Sequence, residues 1–176
     1  MRYANTKVAS KKQEKRIAKE LNAKVTIASG ALDFQKADVR NDMYLVEAKT
    51  TEKPYYPLSL ATWKKIEEQA LRDGLRIPVM CIDLEDGNKS LAILHNNDFQ
   101  PLIDNFKDSF KFFKVVPSLY AKKSVRVNAS HMDITYAGDL SIPSIIYQHL
   151  LFEDKTELVI LDWNDFLLIQ GGVAID

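Results

Sequence analysis

The stretch that decides the fold is Tyr44-Leu45-Val46-Glu47-Ala48-Lys49, which has the pattern of a β-strand with two unlike faces. Successive side chains of a strand point to opposite faces, so the first, third and fifth residues form an apolar face. Glu47 and Lys49 lie on the other face, about 6–7 Å apart along the strand. A carboxylate and an ammonium at this spacing can serve one metal-bound water. The carboxylate holds a divalent ion that lowers the pKa of the water, and the lysine orients the nucleophile or stabilises charge on a phosphate.

The segments around this strand predict the order α-β-β-β-α-β-β over the first 95 residues. Ser10-Lys11-Lys12-Gln13 has the S-x-x-Q capping-box pattern, which predicts a helix from Ser10 to about residue 21. Ser59 is expected to cap a second helix that ends before Gly74. The proline-containing segment 50–57 is predicted to be a loop. The predicted strands cover residues 25–28, 37–40, 43–49, 77–84 and 91–94.

The second half gives a weaker pattern, with strands predicted at residues 110–116, 124–127, 134–136 and 158–161. Ser141 predicts a helix over residues 142–151. One motif occurs twice: Leu91-x-Ile93-Leu94-x-x-Asn97-Asp98-Phe99 matches Leu158-x-Ile160-Leu161-x-x-Asn164-Asp165-Phe166. The favoured interpretation is a local device used twice, a strand exit followed by a capped short helix, rather than a duplication. Together the elements predict an α/β (α+β) fold with a central mixed sheet flanked by helices.

Composition favours a soluble protein of a reducing, cytoplasmic compartment. No apolar run is long enough to cross a bilayer, and the polar, basic N-terminus is not a secretory signal. The single cysteine, Cys81, lies in an apolar run, which excludes a disulfide framework. The net charge is zero, but residues 1–76 contain sixteen Lys/Arg and ten Asp/Glu, a net charge of +6, and residues 77–176 carry −6. The basic half is compatible with a phosphate-binding surface, and an uneven solvated surface is the alternative.

Two further carboxylates are candidates for the Glu47 site. If Asn41-Asp42 is a two-residue hairpin loop, Asp38 pairs with Leu45 and shares the face of Glu47, although a one-residue slip would reverse this. Glu14 precedes the apolar stripe of the first helix by three, four and seven residues, so it lies on the inward side. The alternative for Glu14 is a solvated position in the first helical turn, where a carboxylate favours the helix dipole.

An isolated E-x-K is weak evidence, because an exposed strand edge with a surface ion pair gives the same pattern. The order of the elements adds weight, and it resembles that of the PD-(D/E)xK nucleases. Within that family the chain is similar to Holliday junction resolvases, especially phage-encoded ones of the archaeal type. The resemblance covers roughly residues 10–100. Its motifs are Lys12-Gln13-Glu14-Lys15-Arg16, Ala28-Ser29-Gly30-Ala31, Lys36-Ala37-Asp38-Val39 and Leu45-Val46-Glu47-Ala48-Lys49-Thr50-Thr51.

The resemblance implies a restriction-endonuclease-like core, a homodimer and a Mg²⁺ or Mn²⁺ site. The implied metal ligands are Glu14, Asp38, Glu47 and the backbone carbonyl of Ala48, and Lys49 is the implied catalytic lysine. Ser29 matches a serine near the scissile phosphate. The chain departs from the family at Ala37, where the motif has proline.

The domain organisation expected is a nuclease core over residues 1–100 and a C-terminal extension over 101–176. The extension is either part of the same domain or an addition for dimerisation or DNA binding. The residues expected to bind DNA are Lys11, Lys12, Lys15, Ser29 and Lys53. Three functions remain open: a Mg²⁺-dependent endonuclease that resolves four-way junctions, another nuclease of the same type acting on duplex ends or specific sites, and a DNA-binding protein without catalysis.

Overall fold

The centre of the protein is a mixed β-sheet of eight strands, seen in a computed structural model that describes residues 3–26, 38–130 and 142–170. The helices are α1 (Tyr3–Glu20), α2 (Leu60–Arg72), α3 (Asn96–Phe106) and α4 (Trp163–Gln170). The strands are β1 (Lys24–Val25), β2 (Val39–Arg40), β3 (Tyr44–Thr50), β4 (Tyr55–Ser59), β5 (Ile77–Leu84), β6 (Lys89–His95), β7 (Lys111–Ala121), β8 (Ser124–Asn128), β9 (Ser144–Phe152) and β10 (Glu157–Asp162). The strand order across the sheet is β1-β2-β3-β5-β6-β10-β9-β7, while β4 and β8 form a separate two-stranded ribbon.

Both faces of the sheet are covered, which explains why β5 and β6 are almost continuously apolar. On one face, α1, α3 and α4 pack on alternate strand residues such as Val46, Val79 and Cys81. On the other face, Trp63 of α2 and the inner side of the β4–β8 ribbon pack on Met80 and Ile82. Residues from both halves of the chain therefore build one sheet and share its two apolar layers.

Several predictions from the sequence are confirmed. The central mixed sheet flanked by helices is present. The strand predicted at residues 77–84 matches β5, and β3 begins one residue after its predicted start. Ser59 caps α2, accepting a hydrogen bond from the Thr62 N–H at 3.1 Å, and Gly74 follows with a φ of +87°. These features depend on local chemistry, which the sequence displays directly.

The predicted start of the first helix is wrong. α1 begins at Tyr3, seven residues before the supposed cap at Ser10. The Ser10 hydroxyl instead donates a hydrogen bond to Glu14 inside the helix, and Gln13 turns into the protein. The S-x-x-Q sequence is therefore present, but Ser10 and Gln13 lie inside the helix and do not cap its N-terminus.

Two assignments around the ribbon and the second half are also wrong. The segment 50–57 is a loop only in part, because Tyr55–Ser59 forms β4; Pro57 is tolerated since a strand of a two-stranded ribbon has a free edge. Residues 142–151 do not form a helix, because Ser144–Phe152 is β9, held between β10 and β7. The strand predicted at 134–136 lies outside the described residues.

The twice-occurring motif belongs to a larger repeated arrangement than a local device. Ile93 and Ile160, equivalent positions of the motif, are direct partners where β6 pairs with β10. On one side, β6 pairs antiparallel with β5, which pairs parallel with β3. On the other side, β10 pairs antiparallel with β9, which pairs parallel with β7. The parallel pairs start at Tyr44–Ile77 and Lys111–Ser144, and each residue of the second pair lies 67 positions after its counterpart, the same offset as in the motif. The six strands β3-β5-β6-β10-β9-β7 are thus approximately two-fold symmetric about the β6–β10 seam, and β1 and β2 extend the sheet on one side only.

None of the helices within the described ranges combines the length and the apolarity that crossing a membrane requires.

Candidate active site

The β2–β3 hairpin places Asp38 beside Glu47, although by a different register from the predicted one. Arg40 pairs with Leu45 and Val39 with Val46, so the strands are shifted by two residues relative to a two-residue loop. The Asn41 side chain closes the longer turn by accepting the N–H groups of Met43 and Tyr44. A shift of two is one full side-chain period, so the face predicted for Asp38 is retained.

Asp38 is anchored at the point where the β2–β3 ladder ends. Its Oδ2 accepts the Ala48 N–H at 2.8 Å. The N–H and C=O of one strand residue point to the same edge, so the Ala48 carbonyl faces the side on which Asp38 lies. A carboxylate and a backbone carbonyl are therefore available at one edge of β3.

Glu47 and Lys49 form an ion pair, which their predicted place on one face of the strand permits. Lys49 Nζ lies 2.5 Å from Glu47 Oε1, with 33% of the lysine side chain and 16% of the glutamate side chain exposed. Burial lowers the pKa of Lys49, but the hydrogen bond and charge of Glu47, together with the charges of Tyr56 and Asp38, outweigh burial and raise that pKa above its ordinary value. The lysine is thus held as a cation next to the carboxylates.

Two further carboxylates, Asp38 and Glu14, share the electrostatic environment of Glu47. Burial raises the pKa of Glu47; the hydrogen bond from Lys49 opposes the rise, while the charges of Asp38 and Glu14 add to it. Burial also raises the pKa of Asp38, against the lowering effects of the Ala48 N–H and the Lys49 charge. Glu14 reaches this group from α1, where it is half-buried. The structure therefore brings the four residues singled out in the sequence into one neighbourhood.

The donor set is suited to a hard divalent cation. Carboxylate and carbonyl oxygens are the ligands that Mg²⁺ and Mn²⁺ prefer, and three carboxylates beside one ammonium leave an excess of negative charge for a cation to neutralise. In the described part of the chain, no three acidic, histidine or cysteine side chains are already arranged as a metal cluster. Glu14 instead accepts a hydrogen bond from Ser10, and Glu47 is paired with Lys49.

Gln13 is a residue of this region that the sequence misassigned as part of a cap. Its side chain is only 3% exposed, and its Nε2 donates to the Lys49 carbonyl at 2.9 Å and to the Cys81 carbonyl at 3.2 Å. It therefore ties α1 to the seam between β3 and β5. The available signal was its spacing, four and eight residues before the buried Ile17 and Leu21, which puts it on the inward stripe.

Replacing Gln13 by alanine should lower the free energy of unfolding by about 1–3 kcal/mol, because two buried carbonyls lose a donor. Chemical denaturation would measure the loss. Lys19→Ala, an exposed change on the same helix, is the matched control and should change stability by less than about 0.5 kcal/mol. Equal stability of Gln13→Ala and the control would contradict the tying role.

The residues predicted to bind DNA are placed differently from one another. Lys11, Lys12 and Lys15 are exposed on α1. Lys53 is exposed in the β3–β4 connection, with its ammonium over the Tyr55 ring. Ser29 lies outside the described residues.

A cleft of about 540 Å³ runs between α1 and the β5–β6 turn, and Lys12 and Arg16 are among its lining residues. Arg16 donates to Asp83 at 2.7 Å, and the same carboxylate oxygen accepts Ser90 Oγ at 2.7 Å. Arg16 also pairs with Glu20. Its charge is thus used within the fold, whereas the lysines of α1 remain exposed.

Tyr56 is a second residue of the site that was not foreseen in its observed role. It falls in the predicted loop 50–57, but it is half-buried on β4 and packs against the cluster that contains Trp63. Burial raises the pKa of its hydroxyl, with the Glu47 charge adding to the rise and the Lys49 charge opposing it. Tyr56 is therefore close enough to the ion pair to share its electrostatic environment.

Comparison of the chain with protein-family models, with curated proteins and with solved structures found no match. The function is therefore inferred from the residues of the site itself.

Proposed function

We propose that this protein is a metal-dependent DNA endonuclease that resolves four-way junctions by hydrolysing phosphodiester bonds. The observation that carries the proposal is the grouping of Asp38, Glu14 and Lys49 around Glu47 at the open end of the β2–β3 ladder. The order of these residues on helix and strands resembles that of the PD-(D/E)xK nucleases, which supports the same reading.

The roles proposed for the residues follow from their chemistry. Glu47, Asp38 and Glu14, with the Ala48 carbonyl, would hold one Mg²⁺ or Mn²⁺ ion. When bound, such an ion lowers the pKa of a water molecule and neutralises charge on the phosphate. Lys49 would donate hydrogen bonds to the attacking water or to a phosphate oxygen.

Asp38 has a positioning element of its own. The Ala48 N–H fixes one of its oxygens at 2.8 Å, which leaves the other oxygen for a ligand. Gln13 fixes α1 against β3 and thereby limits the movement of the neighbouring Glu14. Pre-ordered carboxylates reduce the cost of arranging a site at the moment of reaction.

The proposed substrate approaches the basic N-terminal half. Lys11, Lys12 and Lys15 extend from the exposed side of the helix that carries Glu14. Exposed lysines of this kind bind phosphates without reading sequence. Preference for a four-way junction and the action as a homodimer are proposed from the family resemblance, and an intracellular location belongs to the same proposal because the substrate is cellular DNA.

The test is a cleavage assay with a labelled four-way junction and a linear duplex of the same arm sequence. Each DNA is incubated with the protein in Mg²⁺, in Mn²⁺ and in EDTA, and Glu47→Gln protein purified in parallel reports any contaminating nuclease. We expect paired, symmetric nicks in the junction only, with none in EDTA. Equal cutting of both DNAs would replace the junction resolvase by another nuclease of the same type. Binding without cutting in either metal would overturn the nuclease proposal.

A further inference from the structure

The β4–β8 ribbon pairs a strand of the second half of the chain with the strand that follows β3 in sequence. Tyr55 pairs with Asn128, Pro57 with Arg126 and Ser59 with Ser124. Side chains alternate across such a ribbon, so it has an inner and an outer face. Leu58 and Val127 are buried on the inner face. Tyr56, paired with Val127, lies on this inner face and packs on the cluster that contains Trp63.

The outer face has a cluster of two cations on one aromatic ring. Arg126 Cζ lies 4.8 Å from the centroid of the Tyr55 ring, and Lys53 Nζ lies 5.6 Å from it. Arg126 and Lys53 are exposed. Among the described residues, neither cation has a carboxylate within 4 Å. The ring therefore holds two positive charges near each other, and no carboxylate of the described residues pairs with either of them.

The ribbon is positively charged, although the half of the chain that supplies β8 is negatively charged overall. Residues 53–59 and 122–128 include Lys53, Lys122, Lys123 and Arg126 and no acidic residue. Residues 77–176 as a whole carry −6. Three of the eight basic residues of that half are thus concentrated within five positions at this ribbon. A local excess of this kind selects an anionic partner.

The structure assigns the outer face of the ribbon as a binding surface for the phosphate backbone of a nucleic acid strand. Its centre is Lys53 and Arg126, held in place by Tyr55. This assignment rests on the proposed function, because the neighbouring site acts on a phosphodiester. A polyanion with regularly spaced charges suits cations spread along a ribbon, and an acidic peptide is the competing partner that the experiment addresses. The C-terminal half would then act in substrate binding. It does not repeat the Glu47 carboxylate, because the equivalent position of the repeated arrangement, 67 residues later, is Lys114.

The test measures the dissociation constant for a fluorescent four-way junction and a duplex in EDTA, over a series of salt concentrations. Arg126→Ala and Lys53→Ala should each weaken binding to both DNAs about 5–10-fold and lower the slope of log K against log salt by about one. Tyr55→Phe should bind like the wild type, because it keeps the ring, whereas Tyr55→Ala should weaken binding. Arg72→Ala, an arginine with a 70% exposed side chain on α2, is the control and should change neither affinity nor slope.

Unchanged affinity and slope in both Arg126→Ala and Lys53→Ala would overturn the assignment. The assignment would also be overturned, in favour of an acidic peptide, if polyglutamate at an equal charge concentration displaced the DNA and if Arg126→Ala and Lys53→Ala weakened polyglutamate binding as much as DNA binding. The readout is separate from catalysis. A wild type that cuts while these variants bind normally refutes only the ribbon surface. A wild type that binds through Arg126 but never cuts refutes only the nuclease.

Discussion

Replacing Glu47 by glutamine should reduce DNA cleavage by about 10³-fold or more, a loss of about 4 kcal/mol in transition-state stabilisation. Glutamine has nearly the same shape and still accepts a hydrogen bond from Lys49, but it removes the negative charge that a divalent ion requires. Glu47 is also the carboxylate on which the charges of Asp38, Glu14 and Lys49 act together. Its substitution therefore removes the carboxylate that interacts with all three of the other charged residues of the site.

The measurement is the single-turnover rate of junction cleavage in Mg²⁺ at saturating protein. Glu68→Gln is the matched control, because Glu68 is 66% exposed on α2, and its rate should equal that of the wild type. Thermal unfolding of Glu47→Gln should stay within a few degrees of the wild type, since the substitution removes a buried charge as well as an ion pair. A Glu47→Gln rate within tenfold of the wild type would show that this carboxylate does not hold an essential metal.

Replacing Trp63 by alanine should lower the free energy of unfolding by about 3–5 kcal/mol. The Trp63 side chain is fully buried between α2 and the sheet, in the cluster with Leu58, Met80 and Ile82. Its indole N–H also donates to Glu67 at 2.8 Å. The substitution leaves a large cavity that the β-sheet cannot collapse to fill, because both of its faces are already packed.

Urea denaturation at a fixed pH would measure this loss. Leu71→Ala is the control, because Leu71 lies on the same helix with 63% of its surface exposed and should cost less than about 1 kcal/mol. A loss for Trp63→Ala no larger than for Leu71→Ala would mean that α2 is not part of the cooperative core. A Trp63→Ala protein that fails to fold at 25 °C agrees with the upper end of the expected range.

The elements that the sequence predicted correctly are those with a local cause. β3 and β5 follow from apolar alternation and from an uninterrupted apolar run. The boundaries of α2 follow from Ser59 and Gly74. Each of these signals acts within a few residues, so no knowledge of distant contacts was needed.

The elements that the sequence predicted wrongly are those decided by distant partners. Ser144–Phe152 is compatible with a helix in isolation, but it forms β9 because β10 and β7 pair with its two edges. Gln13 matches the letters of a capping box, but its side chain is recruited by the carbonyls of Lys49 and Cys81, which lie 36 and 68 residues away. Tertiary hydrogen bonds of this kind override local propensity.

The candidate site shows the same division. The sequence by itself determined that Glu47 and Lys49 share a face, because the two-residue period of a strand is a local property. It also placed Asp38 on that face. This placement is correct although the predicted register is not, because the register differs by two residues and side chains alternate with a period of two. Only the tertiary structure decided that Glu14 approaches Glu47, that Tyr56 shares the electrostatic environment of the ion pair, and that Arg126 comes to lie over Tyr55. These contacts join residues far apart in the chain, and their energies come from packing the two faces of one sheet, which no short stretch of sequence specifies.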